Sequence, residues 1–165
     1  VYKRQVLDPV MVAKGGHKLL DIGAEKALIN ELMPLCTIIT PNIPEAEVIT
    51  GSKINNINDL ETMGKSIIKM GIDNVLMKGG HLDSDILIDI LITKENTEYF
   101  ESKKIITKNS HGTGCTLSSA IACGLGQQLS LKESINRAHK YVYKSILNAP
   151  NIGKGNGPLN HLIKV

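Results

Sequence analysis

Gly112-Thr113-Gly114-Cys115 sets two glycines at the start of a stretch whose later residues predict a helix. Glycine lets backbone come close to a ligand, and a helix beginning there points N–H groups at it. The pairing suits a phosphate or a developing negative charge, or it is a turn with Gly for geometry only. The Lys-Ser/Thr ending of a P-loop does not follow, so that motif is excluded. Cys115 falls in the first turn, where the helix dipole favours thiolate. Such a thiolate either deprotonates a hydroxyl or attacks a carbonyl. A small buried hydrophobe is the alternative, and it is the reading that suits Cys36 and Cys123.

Asn42 and Glu45 stand three apart at the start of a short helix. An amide and a carboxylate on one face can hold waters around Mg²⁺, which takes few direct protein ligands. Plain helix capping would use the same residues. Lys78 ends an apolar run before Gly79-Gly80, as a point charge for phosphate or as a stem reaching solvent. Asp8 ends another run and is suited to hold metal or substrate, while Glu47 reads as an outward charge. His17, His81, His111, His139 and His161 show no zinc-ligand spacing.

Short strands alternating with amphipathic helices must position these groups. Strands are predicted at Gln5–Asp8, stopped by Pro9, at Cys36–Thr40, at Asn74–Lys78, and over 85–93 and 98–107, the last two as a hairpin. A loop from Val10 to Gly16 follows the first strand. Helices are predicted from Asp21 to about Met33, from Pro44 to Gly51, from a capping box at Asn58/Glu61 to about Gly71, and from Gly112 to about Leu125. A second box at Ser130/Glu133 opens the last helix, whose stripe is Leu131, Ile135, Ala138, Val142 and Ile146. The pattern is α/β with a mostly parallel sheet. Ligands of such sheets sit beyond the C-terminal strand ends, here Asp8, Thr40-Pro41-Asn42, Lys78-Gly79-Gly80 and the loop His111–Gly114. An anion hole, a lysine, an Asn/Glu pair and an Asp together spell phosphoryl transfer from a Mg-nucleotide.

The 165 residues fit one domain, 1–165, with no internal repeat. Hydrophobic residues at 42% and charged residues at 21% exclude a disordered chain. Aromatics are only 3%, so the core must be aliphatic and Met-rich, and base-stacking platforms are disfavoured. The net charge of +3 comes from scattered residues, which argues against a nucleic-acid surface. No run reaches a membrane span, and three Cys without CxxC spacing suit a reduced cytoplasm.

Several strings coincide with one family. Asp8-Pro9-Val10-Met11-Val12-Ala13-Lys14-Gly15-Gly16, Thr40-Pro41-Asn42-Ile43-Pro44-Glu45-Ala46-Glu47, Lys78-Gly79-Gly80-His81 and His111 to Ala120 resemble the hydroxymethylpyrimidine/phosphomethylpyrimidine kinases of thiamine biosynthesis, as does the ending Gly155 to His161. The resemblance implies a ribokinase-like three-layer α/β fold, with a mostly parallel central sheet flanked by helices. It implies ATP- and Mg²⁺-dependent phosphorylation of 4-amino-5-hydroxymethyl-2-methylpyrimidine and then of its monophosphate. Gly112, Thr113 and Gly114 would form the anion hole and Cys115 would be the base. Lys78 would bind phosphate, Asn42 and Glu45 would hold Mg²⁺ through water, Asp8 would serve the phosphate/metal side, and Val10 would wall the pyrimidine pocket. A homodimer is expected from the habit of related kinases.

Family members carry a substantial segment before the Asp-Pro-Val motif, so the chain is expected to be the C-terminal portion of the kinase domain. The residues before Gln5 match nothing in the family. A pyridoxal kinase of the same superfamily is the nearest alternative. A cysteine hydrolase using Cys115 and His111 is a distant one, since it leaves Asn42, Glu45 and Lys78 without a role.

Overall fold

The computed structural model describes residues 4–12, 18–54, 56–80 and 85–164. Its contacts gather into two units, Val1–Ser102 and Lys103–Val165.

The first unit is built on a five-stranded sheet in the order β1-β2-β3-β4-β5. The strands are β1 (Val6–Leu7), β2 (Ile38–Ile39), β3 (Asn74–Met77), β4 (Ile86–Thr93) and β5 (Thr97–Lys103). β1 and β2 run parallel with Val6 opposite Ile38, and β2 and β3 run parallel with Ile39 opposite Val75. β4 runs antiparallel to β3, with Met77 opposite Ile90, so the sheet is mixed where a mostly parallel one was expected. Three residues, 94–96, link β4 to β5, too few for a parallel crossover, so the pair is the expected hairpin. Ile38, Ile39, Val75, Leu76 and Met77 are all 0% exposed. Successive residues of a strand point to opposite faces, so β2 and β3 are covered on both, which is why they read as unbroken apolar runs.

Helices α1 (Ile22–Ala27), α2 (Ile43–Thr50) and α3 (Ile57–Lys69) pack in this unit. Its core is aliphatic and Met-rich as composition requires, with Met11, Met33, Ile39, Leu60, Met63, Ile67, Met77, Ile90 and Ile92 at its centre. Asp21 caps α1, its Oδ1 accepting from the Ala24 N–H at 2.8 Å. The helical run does not stop at Met33. It widens into a π turn, Leu28–Leu32, and tightens into a 3₁₀ turn, Met33–Leu35, which accommodates Pro34 in its first positions. α3 starts earlier than the Asn58/Glu61 box predicts. Asn56 and Asp59 form the box instead, and Glu61 is drawn into bonds with Lys65 and with the Tyr99 hydroxyl. β5 ends at Lys103 rather than Thr107, and Ile106 is 96% exposed.

The second unit is a helical pair, α4 (Thr113–Gly126) and α5 (Leu131–Leu147). Leu117, Ile121, Leu125, Ile135, Ala138 and Val142 are buried, so the predicted stripe of α5 is its core face. The helices come close at Gly124, where a Cβ would lie 2.6 Å from Ser134 Oγ. Ser130 and Glu133 form the predicted capping box of α5. Beyond α5 an irregular strap returns along the unit, with Leu159 buried and the Asn160 N–H donating to the Ser145 carbonyl at 3.0 Å.

Candidate active site

In the first unit the predicted polar residues gather at the ends of parallel strands. Asp8 follows β1 directly, and its carbonyl accepts the Val10 N–H at 2.9 Å, turning the chain at Pro9. Thr40, fully buried after β2, donates from Oγ1 to Asp8 Oδ1 at 3.4 Å. Lys78 follows β3, and its Nζ donates to the same Oδ1 at 3.1 Å. The Lys78 and Asp8 side chains are only 13% and 15% exposed. Lys78 therefore does not snorkel freely. It is held as a cation beside a carboxylate. Val10 is 38% exposed.

Asn42 is the N-cap of α2 and makes a full capping box with Glu45. Glu45 N–H donates to Asn42 Oδ1 at 2.9 Å, and Asn42 N–H donates to Glu45 Oε2 at 2.8 Å. The structure thus shows the capping role for the two residues expected to hold Mg²⁺. The Lys78 N–H donates to the Pro41 carbonyl at 2.9 Å, which ties this helix start to the end of β3. Burial pushes the Glu45 carboxyl above its ordinary range, while the Asn42 backbone N–H and the Lys78 ammonium pull it back and the Asp8 carboxylate pushes it further up. Glu45, Lys78 and Asp8 therefore form one electrostatic cluster. Among the described residues, the bonds named reach Oδ1 of Asp8 and Oε2 of Glu45.

Asp89 has no role assigned from the sequence, where it only lies inside the strand predicted over 85–93. Its Oδ1 accepts the Gly79 N–H at 2.9 Å, fixing the turn after Lys78. The turn admits no side chain at Gly79, where a Cβ would sit 2.1 Å from the Ile88 carbonyl oxygen. A lone acid inside a strand beside a Gly-Gly turn was the available signal. Lys14, Gly15, Gly16, His17 and His81 lie outside the described residues.

In the second unit α4 begins as predicted. Gly112 is its N-cap in the left-handed region, φ 81°, and makes no side-chain cap. Only glycine adopts that conformation without strain. Asp21, Asn42, Asn56 and Ser130 cap the other four helices with side chains. The first turn closes with the Thr116 N–H on the Gly112 carbonyl at 2.9 Å. Helical geometry gives the N–H groups of Thr113 and Gly114 no partner within α4. The Thr113 hydroxyl donates back to the Ser110 carbonyl at 2.9 Å. Cys115, third in the helix, is exposed. Cys36 is buried as expected, but Cys123 is exposed, because it falls off the Leu117/Ile121/Leu125 stripe. A cavity of about 740 Å³ runs from Gly112 and Cys115 past Ser119 and Cys123 to Tyr141 and His161.

Among the described residues no group of three His, Cys, Asp or Glu side chains could hold a metal, and no helix is long and apolar enough to cross a membrane. Mg²⁺ needs no closed cage of those ligands, since one or two carboxylates and water commonly hold it, and the Glu45 and Asp8 carboxylates are groups of that kind.

The α/β architecture is of the ribokinase-like class. The chain superposes on an ADP complex of a Bacillus subtilis pyridoxal kinase with TM-score 0.88 at 34% identity, covering 96% of this chain and 60% of that one. It superposes on a phosphomethylpyrimidine kinase of Clostridium difficile with TM-score 0.76 at 44% identity, covering 87% of this chain and 58% of that one. The model of the phosphomethylpyrimidine kinase family matches residues 2–160, so the match takes in residues before Gln5 that were expected to lie outside it, and the chain belongs to that family. A hydroxymethylpyrimidine/phosphomethylpyrimidine kinase of Staphylococcus aureus is 43% identical over 158 residues, 94% of this chain and 57% of that protein. The chain thus spans a little under three fifths of that curated relative.

Proposed function

We propose that the protein is an ATP-dependent kinase that phosphorylates 4-amino-5-hydroxymethyl-2-methylpyrimidine, and then the monophosphate, to the diphosphate used in thiamine biosynthesis. The observation that carries the reading is the first turn of α4, where a left-handed Gly112 and the absence of a side-chain cap keep N–H groups in reach of an anion. Family membership supports reading that anion as the transferred phosphoryl group.

In this reading the N–H groups of Gly112, Thr113 and Gly114 stabilise the negative charge on the transferring group. Cys115 Sγ takes the proton as the hydroxymethyl oxygen attacks the γ-phosphorus. The bond to the β,γ-bridging oxygen breaks and ADP leaves. The dipole of α4 favours the thiolate this requires. Lys78 neutralises phosphate charge, and Asp8 holds the Lys78 ammonium on the phosphate/metal side. Glu45 and Asn42 would hold Mg²⁺, and the ion when bound would supply charge neutralisation on the phosphates. Val10, more than a third exposed beside Asp8, walls the pyrimidine. ATP use is supported by the ADP-bound Bacillus subtilis neighbour. The three free cysteines suit the cytoplasm, where ATP is found. A homodimer is the assembly we expect, to be read from its mass in solution.

One observation favours a second reading, pyridoxal phosphorylation: the Bacillus subtilis pyridoxal kinase has the higher TM-score, although its identity is lower. The test is ADP release with Mg-ATP and the pyrimidine, its monophosphate, pyridoxal or no acceptor. Release that depends on the pyrimidine supports the proposal, preference for pyridoxal transfers it to the second reading, and release independent of any acceptor rejects both.

A further inference from the structure

We propose that the strap from Asn151 to Pro158 is a positioning device for the first turn of α4, acting through Gly157 and Asn109. The inference rests on reading that turn as the phosphate site.

The other four helices fix their first turns with capping side chains, whereas α4 must leave its N–H groups open and needs another support. The strap supplies it one step upstream. His111 N–H donates to the Gly157 carbonyl at 3.2 Å, and Gly157 N–H donates to the Lys108 carbonyl at 3.2 Å. A single strap residue thus brackets 108–111, the segment leading into Gly112. His111 also pairs with Pro158 in a parallel bridge.

Between the two bonds sits Asn109, 3% exposed. Its Nδ2 donates to Asn151 Oδ1. Its Oδ1 finds no hydrogen-bond partner among the described residues and packs against Gly157, where a Cβ would lie 2.0 Å away. The same Cβ would lie 3.3 Å from the Ile152 carbonyl oxygen. A terminal amide can usually swing aside, but this one is buried and tied to Asn151. The strap reaches its place through left-handed backbone at Asn151, φ 53°, and Gly153, φ 88°, the residue types that tolerate it. Its far end is held on α5 by the bond from Asn160 to Ser145. A one-carbon addition at Gly157 must therefore displace 108–111, and the anion turn with it.

The test compares Gly157→Ala with Gly155→Ala, a strap position where a Cβ meets nothing within 4 Å. In ¹⁵N spectra, Gly157→Ala should move the amides of residues 111–115 and speed hydrogen exchange at His111, while Gly155→Ala leaves them in place. Tripolyphosphate, the probe for the turn, should bind Gly157→Ala about tenfold more weakly. Asn109→Ala added to Gly157→Ala should restore affinity in part, to the level of Asn109→Ala alone, since the methyl no longer meets Oδ1 while the tie to Asn151 stays lost. A purely structural role would lower stability without that rescue. Should Gly157→Ala not fold, Asn109→Ala alone cuts the tie to Asn151 and should move the same amides. The proposal is overturned if those amides respond alike to both glycine variants, or if they move with affinity unchanged. Amides that move only in Gly157→Ala, in a wild-type chain that binds no tripolyphosphate, would support the strap and reject the phosphate reading.

Discussion

Replacing Lys78 by Met probes the strand-end cluster most directly. The ammonium stands 3.1 Å from Asp8 Oδ1, with the two side chains 13% and 15% exposed. The pair at Lys53 and Glu47, by contrast, has a lysine 82% exposed. Methionine keeps the apolar stem and removes the charge, leaving Asp8 a carboxylate with the Thr40 hydroxyl as its remaining side-chain donor among the described bonds. Breaking a fully buried pair loses about 3–5 kcal/mol, and an exposed pair about 0–1 kcal/mol. At this exposure, and with Thr40 retained, the expected loss is about 2 kcal/mol. For a chain of this length that is a fall in Tm of roughly 4–8 °C. Adding Asp8→Asn removes the stranded charge but keeps an acceptor for Thr40, so the double variant should be more stable than Lys78→Met by about 1 kcal/mol. Urea titrations at constant m-value provide the measurement. A Lys78→Met variant within about 0.5 kcal/mol of wild type, or a double variant no better than the single, would refute the argument that this pair is withdrawn from water and energetically coupled.

Gly79→Ala should destabilise by about 1–3 kcal/mol, because its methyl meets backbone at Ile88, whereas Gly80→Ala, with nothing within 4 Å, should be silent in the same urea assay. Glu45→Gln carries a pH signature. Burial raises the wild-type carboxyl in the folded state, so its contribution is present below the ordinary value of 4.5 and is lost as pH rises through the raised one. The neutral amide should therefore stabilise relative to wild type at neutral pH, with the gain vanishing near about pH 4, and a gain constant with pH would contradict this. Cys115→Ala should leave nucleotide affinity within about twofold while lowering transfer by roughly 10²–10⁴. Wild-type turnover in that variant would remove Cys115 from the role of base.

What was legible in the sequence depended on whether a local rule had one solution. Ser130/Glu133 was read correctly because the stripe from Leu131 to Val142 admits one register, and the structure buries that face. Asn56/Asp59 and Asn58/Glu61 satisfy the same capping rule two residues apart. The choice between them was made by tertiary partners, since Glu61 has Tyr99 on β5, 38 residues away in sequence. The placement of Asp8, Lys78 and Asn42 beyond strand ends was legible because it follows from apolar runs and their punctuation. Their interaction was not legible, because the Asp8–Lys78 bond joins residues 70 apart. Asp89 was missed for the same reason. Within its strand it looks like a blemish, and only the pairing of β3 with β4 brings it to the Gly79 amide. Asn109 is the sharpest case. Nothing in Lys108-Asn109-Ser110 announces a buried amide, and its role arises only when a strap more than forty residues later returns to lie on it. The candidate site residues advertise themselves by type, whereas Asp89 and Asn109 are ordinary residues made specific by contacts the local pattern does not encode.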